Sequence, residues 1–185
     1  IQLAYKNEAV PAGYTFFKLA VTGLKGGHSG MDINSGRANS IKLAFRFLRN
    51  VEQKFDVRIS SIDGGSLRNA IPREAFVVAG VPNNKYGELE KSVSDFQKIY
   101  KAEFSKVEPD LSFTVSKIAE PTSVMDKTSQ WALIRSVFGC PNGVVRLSDS
   151  MPGLVETSTN LARVYSDNEN VYIQCLLRSS VDSSK

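Results

Sequence analysis

The chain has 185 residues, with 23 lysines and arginines against 19 aspartates and glutamates, and so a formal net charge of +4. This small excess does not indicate nucleic-acid binding, because nucleic-acid-binding domains carry strongly basic stripes. No apolar run approaches the ~18 residues of a membrane span, and we expect neither a membrane contact nor a signal peptide. The two cysteines, Cys140 and Cys175, favour a reducing, cytoplasmic location and leave open whether they form a bridge.

Histidine is scarce, since His28 is the only one in the chain. Catalytic zinc sites usually combine two or more histidines with carboxylates or cysteines. The sequence also contains no HExxH motif, no paired CxxC motif and no GxSxG motif. We therefore predict that this chain holds no metal ion and no complete catalytic site.

The first elements are a strand, a glycine-rich loop and a long helix. Residues 15–23 alternate apolar and polar side chains, which predicts a strand. A loop with three glycines follows at 26–30, and apolar side chains at helical spacing then predict an amphipathic helix over 35–55. The apolar stripe of this helix is Ile41, Ala44, Phe45, Leu48, Val51 and Phe55.

Two strands, a second helix and a fourth strand complete the first unit. Strands are predicted at 57–62 and 75–81, and the second is more continuously apolar, as central strands are. A helix is predicted over 88–107 and an alternating strand over 111–115. The order β-α-β-β-α-β is that of a ferredoxin-like split βαβ fold, in class α+β, with an antiparallel sheet and both helices on one face. We assign residues 9–119 to this domain.

The remaining residues, 120–185, predict an extension of the first unit. A mostly apolar helix is expected over 126–138, and two strand-like runs, 155–165 and 171–178, flank a polar turn and predict a β-hairpin. Because an isolated hairpin buries little surface, we expect it to extend the first sheet or pack on it. The chain begins without methionine and stops after a strand-like run, so we expect it to be cut from a larger protein and the extension to be truncated at its C-terminal end.

The pattern also predicts the core. The two helices should bury their apolar side chains against the inner face of the sheet. The helix residues expected to be buried are Ile41, Phe45, Leu48, Phe96 and Tyr100. The strand residues expected beneath them are Leu19, Val21, Val78 and Phe113.

Three residues are candidates for binding or chemistry. His28 lies among glycines, which bring backbone and imidazole close to a bound group, although an exposed loop histidine is the simpler interpretation. Asn69 either shapes a turn or offers its amide to a ligand from a fixed loop. Arg178 ends an apolar strand, where it is either a charge at the rim of the sheet or a guanidinium that binds a carboxylate.

Several motifs resemble, in the same order, those of aminoacyl-histidine dipeptidase, also called peptidase D or Xaa-His dipeptidase. The match runs from about residue 9 to the last residue, and its specificity lies in the series of blocks. The blocks are KGGHSG at 25–30, DGG at 63–65, NAIPREAF at 69–76, CPNGVVR at 140–146, VETSTNL at 155–161 and LRSSVDS at 177–183.

The resemblance implies that this chain is the lid and dimerisation part of a zinc-dependent dipeptidase. Enzymes of this kind combine a catalytic domain holding two zinc ions with an inserted domain for dimerisation and lid closure. The metal ligands and the general base would then belong to a catalytic domain that is absent from this chain. The resemblance further implies a homodimer and a carnosine-like Xaa-His substrate, and we expect the chain to be inactive by itself.

The resemblance also implies roles for the three candidate residues. His28 is similar to a lid histidine that reaches the active site of the other subunit and stabilises the oxyanion of the tetrahedral intermediate. Asn69 resembles the asparagine of an Asn-x-Ile-Pro motif that helps to bind substrate. Arg178 resembles an arginine at the end of a lid strand that binds the C-terminal carboxylate of the dipeptide.

Two other classes of function compete with this one. A split βαβ domain with positive charge is also typical of RNA-recognition modules, but residues 75–81 lack the stacking aromatic side chains of those modules. The other alternative is a purely structural dimerisation module, in which His28 would have no part in turnover.

Overall fold

The computed structural model describes residues 1–185 and consists of one large antiparallel sheet with three helices. The sheet has eight strands, which we label β1 to β8. They are β1 Gln2–Ala4, β2 Tyr14–Thr22, β3 Arg58–Gly64, β4 Ala75–Pro82, β5 Ser112–Lys117, β6 Gly143–Leu147, β7 Val155–Ser166 and β8 Asn170–Ser179. The helices are α1 Ser40–Val51, α2 Tyr86–Glu103 and α3 Lys127–Gly139.

The strand order confirms the ferredoxin-like prediction. The sheet runs β1-β8-β7-β3-β4-β2-β5, and β6 also pairs with β7. The segment β3-β4-β2-β5, with α1 and α2, is the split βαβ unit, and all its strand pairs are antiparallel. The predicted hairpin of β7 and β8 extends this sheet, because Val164 and Tyr165 pair with Gly64 and Asp63 of β3. The sequence analysis did not predict β1 and β6, which add further strands on the hairpin side.

Helix α1 is shorter than the predicted 35–55. It begins at Ser40 because the Asn39 side chain accepts hydrogen bonds from the backbone N–H groups of Ile41 and Lys42, which caps the first turn. It ends at Val51, and Asp56 adopts a positive φ of 47° in the turn that follows. The residues before Asn39 instead form the loop that carries His28. Helix α2 is likewise shifted from 88–107 to Tyr86–Glu103.

The core lies between the helices and one face of the sheet, as predicted. Ile41, Phe45, Leu48 and Tyr100 are buried, as are the strand residues Leu19, Val21 and Phe113. Phe96 lies at the margin and is half-buried. It still packs edge-on against Phe47 and Tyr100, with ring centroids 5.2 and 5.6 Å apart.

The assignment of Val78 to this core was wrong. Successive side chains of a strand point to opposite faces, and the inward-facing residues of β4 are Val77, Ala79 and Val81, each at most 1% exposed. Val78 is therefore on the outer face and half-buried. The continuously apolar sequence of β4 conceals which of its two sets of side chains faces the helices.

Helix α3 joins the same layer as α1. Its Gln130 side chain accepts from the Ile59 N–H at 2.7 Å and donates to the Val57 carbonyl at 2.8 Å, which attaches the helix to β3. The Lys42 ammonium of α1 donates to the carbonyls of Val137 and Cys140 at the other end of α3. The buried apolar side chains of the chain, from Tyr5 near its start to Ile173 near its end, form one continuous hydrophobic core. No helix is both long enough and apolar enough to cross a membrane.

Candidate functional site

The loop carrying His28 is joined to the loop carrying Asn69 by a short antiparallel pairing. Gly27–His28 pairs with Ala70–Ile71, and His28 lies opposite Ala70. The Ser29 N–H also donates to the Asn69 carbonyl at 2.9 Å. Two of the three residues predicted from the sequence are therefore neighbours, although they are 41 positions apart in the sequence.

The imidazole of His28 is oriented by its own loop. The backbone N–H groups of Gly30 and Met31 both donate to Nδ1 at 3.2 Å. An imidazole that accepts hydrogen bonds at Nδ1 carries its proton on Nε2. Because the side chain is exposed, this Nε2–H is free to donate to a ligand.

Arg178 lies beside the same loop. It sits on β8, paired with Ser158 of β7. Its Nε atom is 3.4 Å from the point that a Cβ on Gly30 would occupy, and the Cε1 atom of His28 is 3.2 Å from that point. Arg178 and His28 thus flank Gly30, and the missing side chain at position 30 lets them approach each other.

Asn69 is exposed, and its side-chain amide makes no hydrogen bond within the chain. The backbone on either side of Asn69 is bound by Asn160 of β7, a residue that is only 1% exposed. The Asn160 amide donates to the carbonyls of Ala70 at 2.8 Å and Arg68 at 3.4 Å. The sequence analysis gave Asn160 no structural or functional role, although an asparagine in the middle of a long strand-like run is itself a signal of a specific buried contact.

A buried carboxylate accepts hydrogen bonds from both ends of the loop that carries His28. The Oε2 atom of Glu108 accepts from the Lys25 N–H at 2.8 Å, and its Oε1 atom accepts from the Ala38 N–H at 3.1 Å. Glu108 is only 1% exposed, so both ends of the loop are attached to one rigid group. Sequence reasoning missed this residue, since a glutamate just after a helix carries no local sign of such a contact.

A cleft of about 540 Å³ adjoins the site. It is lined by Gly27 and by residues of the connection between Asp63 and Phe76. His28, Asn69 and Arg178 do not line it. The three candidate residues are exposed, and His28 and Asn69 are the chain neighbours of Gly27 and Ala70, which line the cleft.

The chain's own residues do not fit a zinc pair. No group of three or more histidine, cysteine, aspartate or glutamate side chains lies close enough together to bind a metal ion. Cys140 and Cys175 are both free, with their Sγ atoms 3.5 Å apart. Burial raises the pKa of the Cys175 thiol to about 11, so it stays protonated at neutral pH, and a protonated thiol is a poor metal ligand.

Comparison with known proteins identifies relatives of the whole chain. Residues 19–108 match the family described as the peptidase dimerisation domain. The chain is 43% identical over 179 residues to the cytosol non-specific dipeptidase of Escherichia coli strain K12, a match that covers 97% of this chain and 37% of that protein. The fold matches the crystal structure of aminoacylhistidine dipeptidase from Vibrio alginolyticus with a TM-score of 0.96 and 40% identity, over 98% of this chain and 37% of that one.

The chain thus spans little more than a third of the length of both relatives. The resemblance to aminoacyl-histidine dipeptidase drawn from the motifs is confirmed, and the chain belongs to the peptidase dimerisation domain family.

Proposed function

We propose that this chain is the lid and dimerisation part of a metal-dependent dipeptidase that hydrolyses Xaa-His dipeptides. Residues 9–119 form the ferredoxin-like lid and residues 120–185 its extension. The whole enzyme is a cytoplasmic homodimer, and its two zinc ions are held by residues outside this chain. In support, one relative is named a dipeptidase of the cytosol and another an aminoacylhistidine dipeptidase.

The observation that carries this proposal is the convergence of His28, Asn69 and Arg178 on one exposed surface. The ring Nε2–H of His28 and the guanidinium of Arg178 are donors only, and the amide of Asn69 both donates and accepts. Such a set suits a ligand that is rich in oxygen and carries negative charge. A dipeptide has both properties, in its peptide carbonyl and its terminal carboxylate.

Each residue has a distinct role in this proposal. Negative charge develops on the carbonyl oxygen of the scissile bond as the tetrahedral intermediate forms, and the His28 Nε2–H donates to that oxygen. A donor placed there stabilises the transition state more than the bound substrate. Arg178 binds the C-terminal carboxylate through paired hydrogen bonds, and Asn69 binds the substrate through its amide.

The exposure of His28 indicates where this chemistry takes place. Hydrogen bonds to a developing charge are worth most where water is excluded. In the chain by itself the imidazole faces solvent, so a second surface must cover it. We assign that surface to the active site of the other subunit, which His28 completes when the lid closes.

Replacing Arg178 with glutamine tests the proposed substrate class in the full-length enzyme. Loss of a charge-assisted contact of about 2 kcal/mol corresponds to an approximately thirtyfold lower kcat/KM for dipeptides with a free C-terminus. Dipeptide amides lack that carboxylate and should be cleaved equally by both forms. An equal loss on both substrates would contradict the role of Arg178.

Steady-state assays that compare Xaa-His with Xaa-Ala dipeptides would show whether histidine is preferred, or whether cleavage is as broad as the name of the Escherichia coli relative indicates.

The isolated chain of 185 residues should neither hydrolyse dipeptides nor bind zinc tightly. A single histidine and the absence of a ligand cluster leave no residues to form a zinc pair. Isothermal titration with zinc and an assay on carnosine-like dipeptides check this. Metal-dependent hydrolysis by the purified chain would show that this chain contains a complete active site.

A further inference from the structure

The His28 loop contains an ion pair that the proposed chemistry does not use. The His28 backbone N–H donates to Oδ2 of Asp32 at 2.8 Å, and the Asp32 N–H donates back to the His28 carbonyl at 2.9 Å. These two bonds close a tight turn over residues 28–32. The turn directs the N–H groups of Gly30 and Met31 toward Nδ1 of the ring.

Arg37 anchors this turn to the strand that leads into it. One guanidinium nitrogen lies 3.3 Å from Oδ1 of Asp32, and another donates to the carbonyl of Gly26. The pair is partly shielded, with side chains 27% and 31% exposed. Arg37 therefore holds Asp32 and the backbone before His28 in one arrangement.

Gly27 is what allows the pair to lie against the backbone. Its φ is 149°, and a Cβ there would come within 2.2 Å of the Arg37 guanidinium and 2.6 Å of the Asp32 carboxylate. Residues other than glycine rarely adopt this φ. The second glycine of the Gly-Gly-His-Ser-Gly motif thus makes room for charged groups of the same chain, whereas sequence analysis had related the glycines to a ligand.

We propose that Asp32 and Arg37 are positioning residues that keep His28 in the tautomer with its proton on Nε2. The role in turnover rests on the proposed function of His28; the effect on the tautomer does not. Without the ion pair, the Gly30 and Met31 N–H groups are no longer held against Nδ1. The imidazole then also populates the tautomer with its proton on Nδ1, which presents an acceptor where the reaction needs a donor.

The single histidine makes this directly measurable in the protein itself. Heteronuclear NMR that correlates the imidazole ring protons with Nδ1 and Nε2 yields one set of signals, with no assignment needed. At a pH where the ring is neutral, the unsubstituted chain should show an unprotonated Nδ1 and a protonated Nε2. In Asp32→Asn and Arg37→Met the two nitrogen shifts should move toward each other, as expected for a mixture of tautomers. Arg37→Lys keeps the charge but not the paired donors of the guanidinium, so its two nitrogen shifts should lie between those of the unsubstituted chain and those of Arg37→Met.

Glu103→Gln is the matched control. Glu103 forms an exposed ion pair with Arg46, with hydrogen bonds of 2.7 and 2.9 Å, and its loss should leave the His28 signals unchanged. Backbone amide spectra establish that each variant is folded. Unchanged imidazole shifts in folded Asp32→Asn and Arg37→Met would overturn the positioning role, and so would equal changes in Glu103→Gln.

Kinetics of the full-length enzyme then separate this proposal from the proposed function. With both correct, Asp32→Asn lowers kcat several-fold with little change in KM, because only the fraction of rings with a proton on Nε2 can donate to the substrate. A changed tautomer with normal kcat would uphold the positioning of the ring and refute the role of His28 in turnover. An unchanged tautomer would refute the positioning role whatever the kinetics.

Discussion

Replacing His28 with alanine is expected to lower kcat of the proposed full-length dipeptidase by about a hundredfold, or about 3 kcal/mol, which is the effect of losing an oxyanion donor, the role proposed for His28. The effect should fall on kcat more than on KM, because the charge that we propose His28 to stabilise barely exists in the bound substrate. Folding should hardly change, since the ring is exposed. Steady-state kinetics and a thermal melt measure both quantities.

Met31→Ala is the control for this experiment. Met31 is in the same loop and 82% exposed, and its side chain has no proposed role, so kcat should remain within about twofold of normal, as for substitutions on the surface. A normal kcat for His28→Ala would favour the purely structural dimerisation module.

Mixed dimers test whether His28 acts across the subunit boundary. Subunits with His28→Ala are combined with subunits that lack a metal ligand in the catalytic domain. Neither homodimer should be active, but a mixed dimer pairs one intact metal site with the intact His28 of the other chain, so activity should be partly restored. If subunit exchange is verified and no activity returns, His28 acts within its own subunit.

Of the substitutions proposed for this chain, Glu108→Ala should destabilise the fold most. It should lower the free energy of unfolding by about 3 kcal/mol, because two buried hydrogen-bond acceptors are lost. The substitution leaves the N–H groups of Lys25 and Ala38 without their carboxylate partner. It also leaves a cavity at a position that is 1% exposed. Glu108→Gln keeps one acceptor oxygen and should lose roughly half as much. Urea denaturation of the chain measures the difference.

Glu120→Ala is the matched control, because Glu120 is exposed. Its substitution should change stability by less than about 0.5 kcal/mol. Equal effects at positions 108 and 120 would show that the buried carboxylate does not hold the loop.

Because Glu108 joins the two ends of the His28 segment, its loss should also speed hydrogen exchange of the amides in residues 25–38.

Patterns local in sequence were enough to predict most of the fold. Alternating side chains mark β2 and β5, and helical spacing marks α1 and α2, since each element buries one face and the spacing of its apolar residues records that face. The order of these elements indicated the split βαβ topology. The same reasoning misplaced Val78, because β4 is apolar on both faces and its sequence does not state which side chains face the helices.

The start of α1 shows where local patterns fail. The sequence analysis placed the start of this helix at residue 35, ahead of the apolar stripe that begins at Ile41, but the chain follows the side-chain cap at Asn39 and the contacts of Asp32 and Arg37. Hydrogen bonds and ion pairs of the loop outweigh the modest helix propensity of residues 35–39. Periodicity of apolar residues contains no information about such contacts.

By itself, the sequence determined six of the eight strands of the sheet, the three helices, the class of the fold and the family, and it singled out His28, Asn69 and Arg178. Only the tertiary structure decided that His28 and Arg178 meet at Gly30, that the backbone of Asn69 pairs with the same loop, and that Glu108, Asn160, Asp32 and Arg37 support this arrangement. The physical reason is the range of the interactions. Burial of a face repeats along the chain, whereas a hydrogen bond from Asn160 to Ala70 joins residues 90 positions apart and leaves no periodic trace.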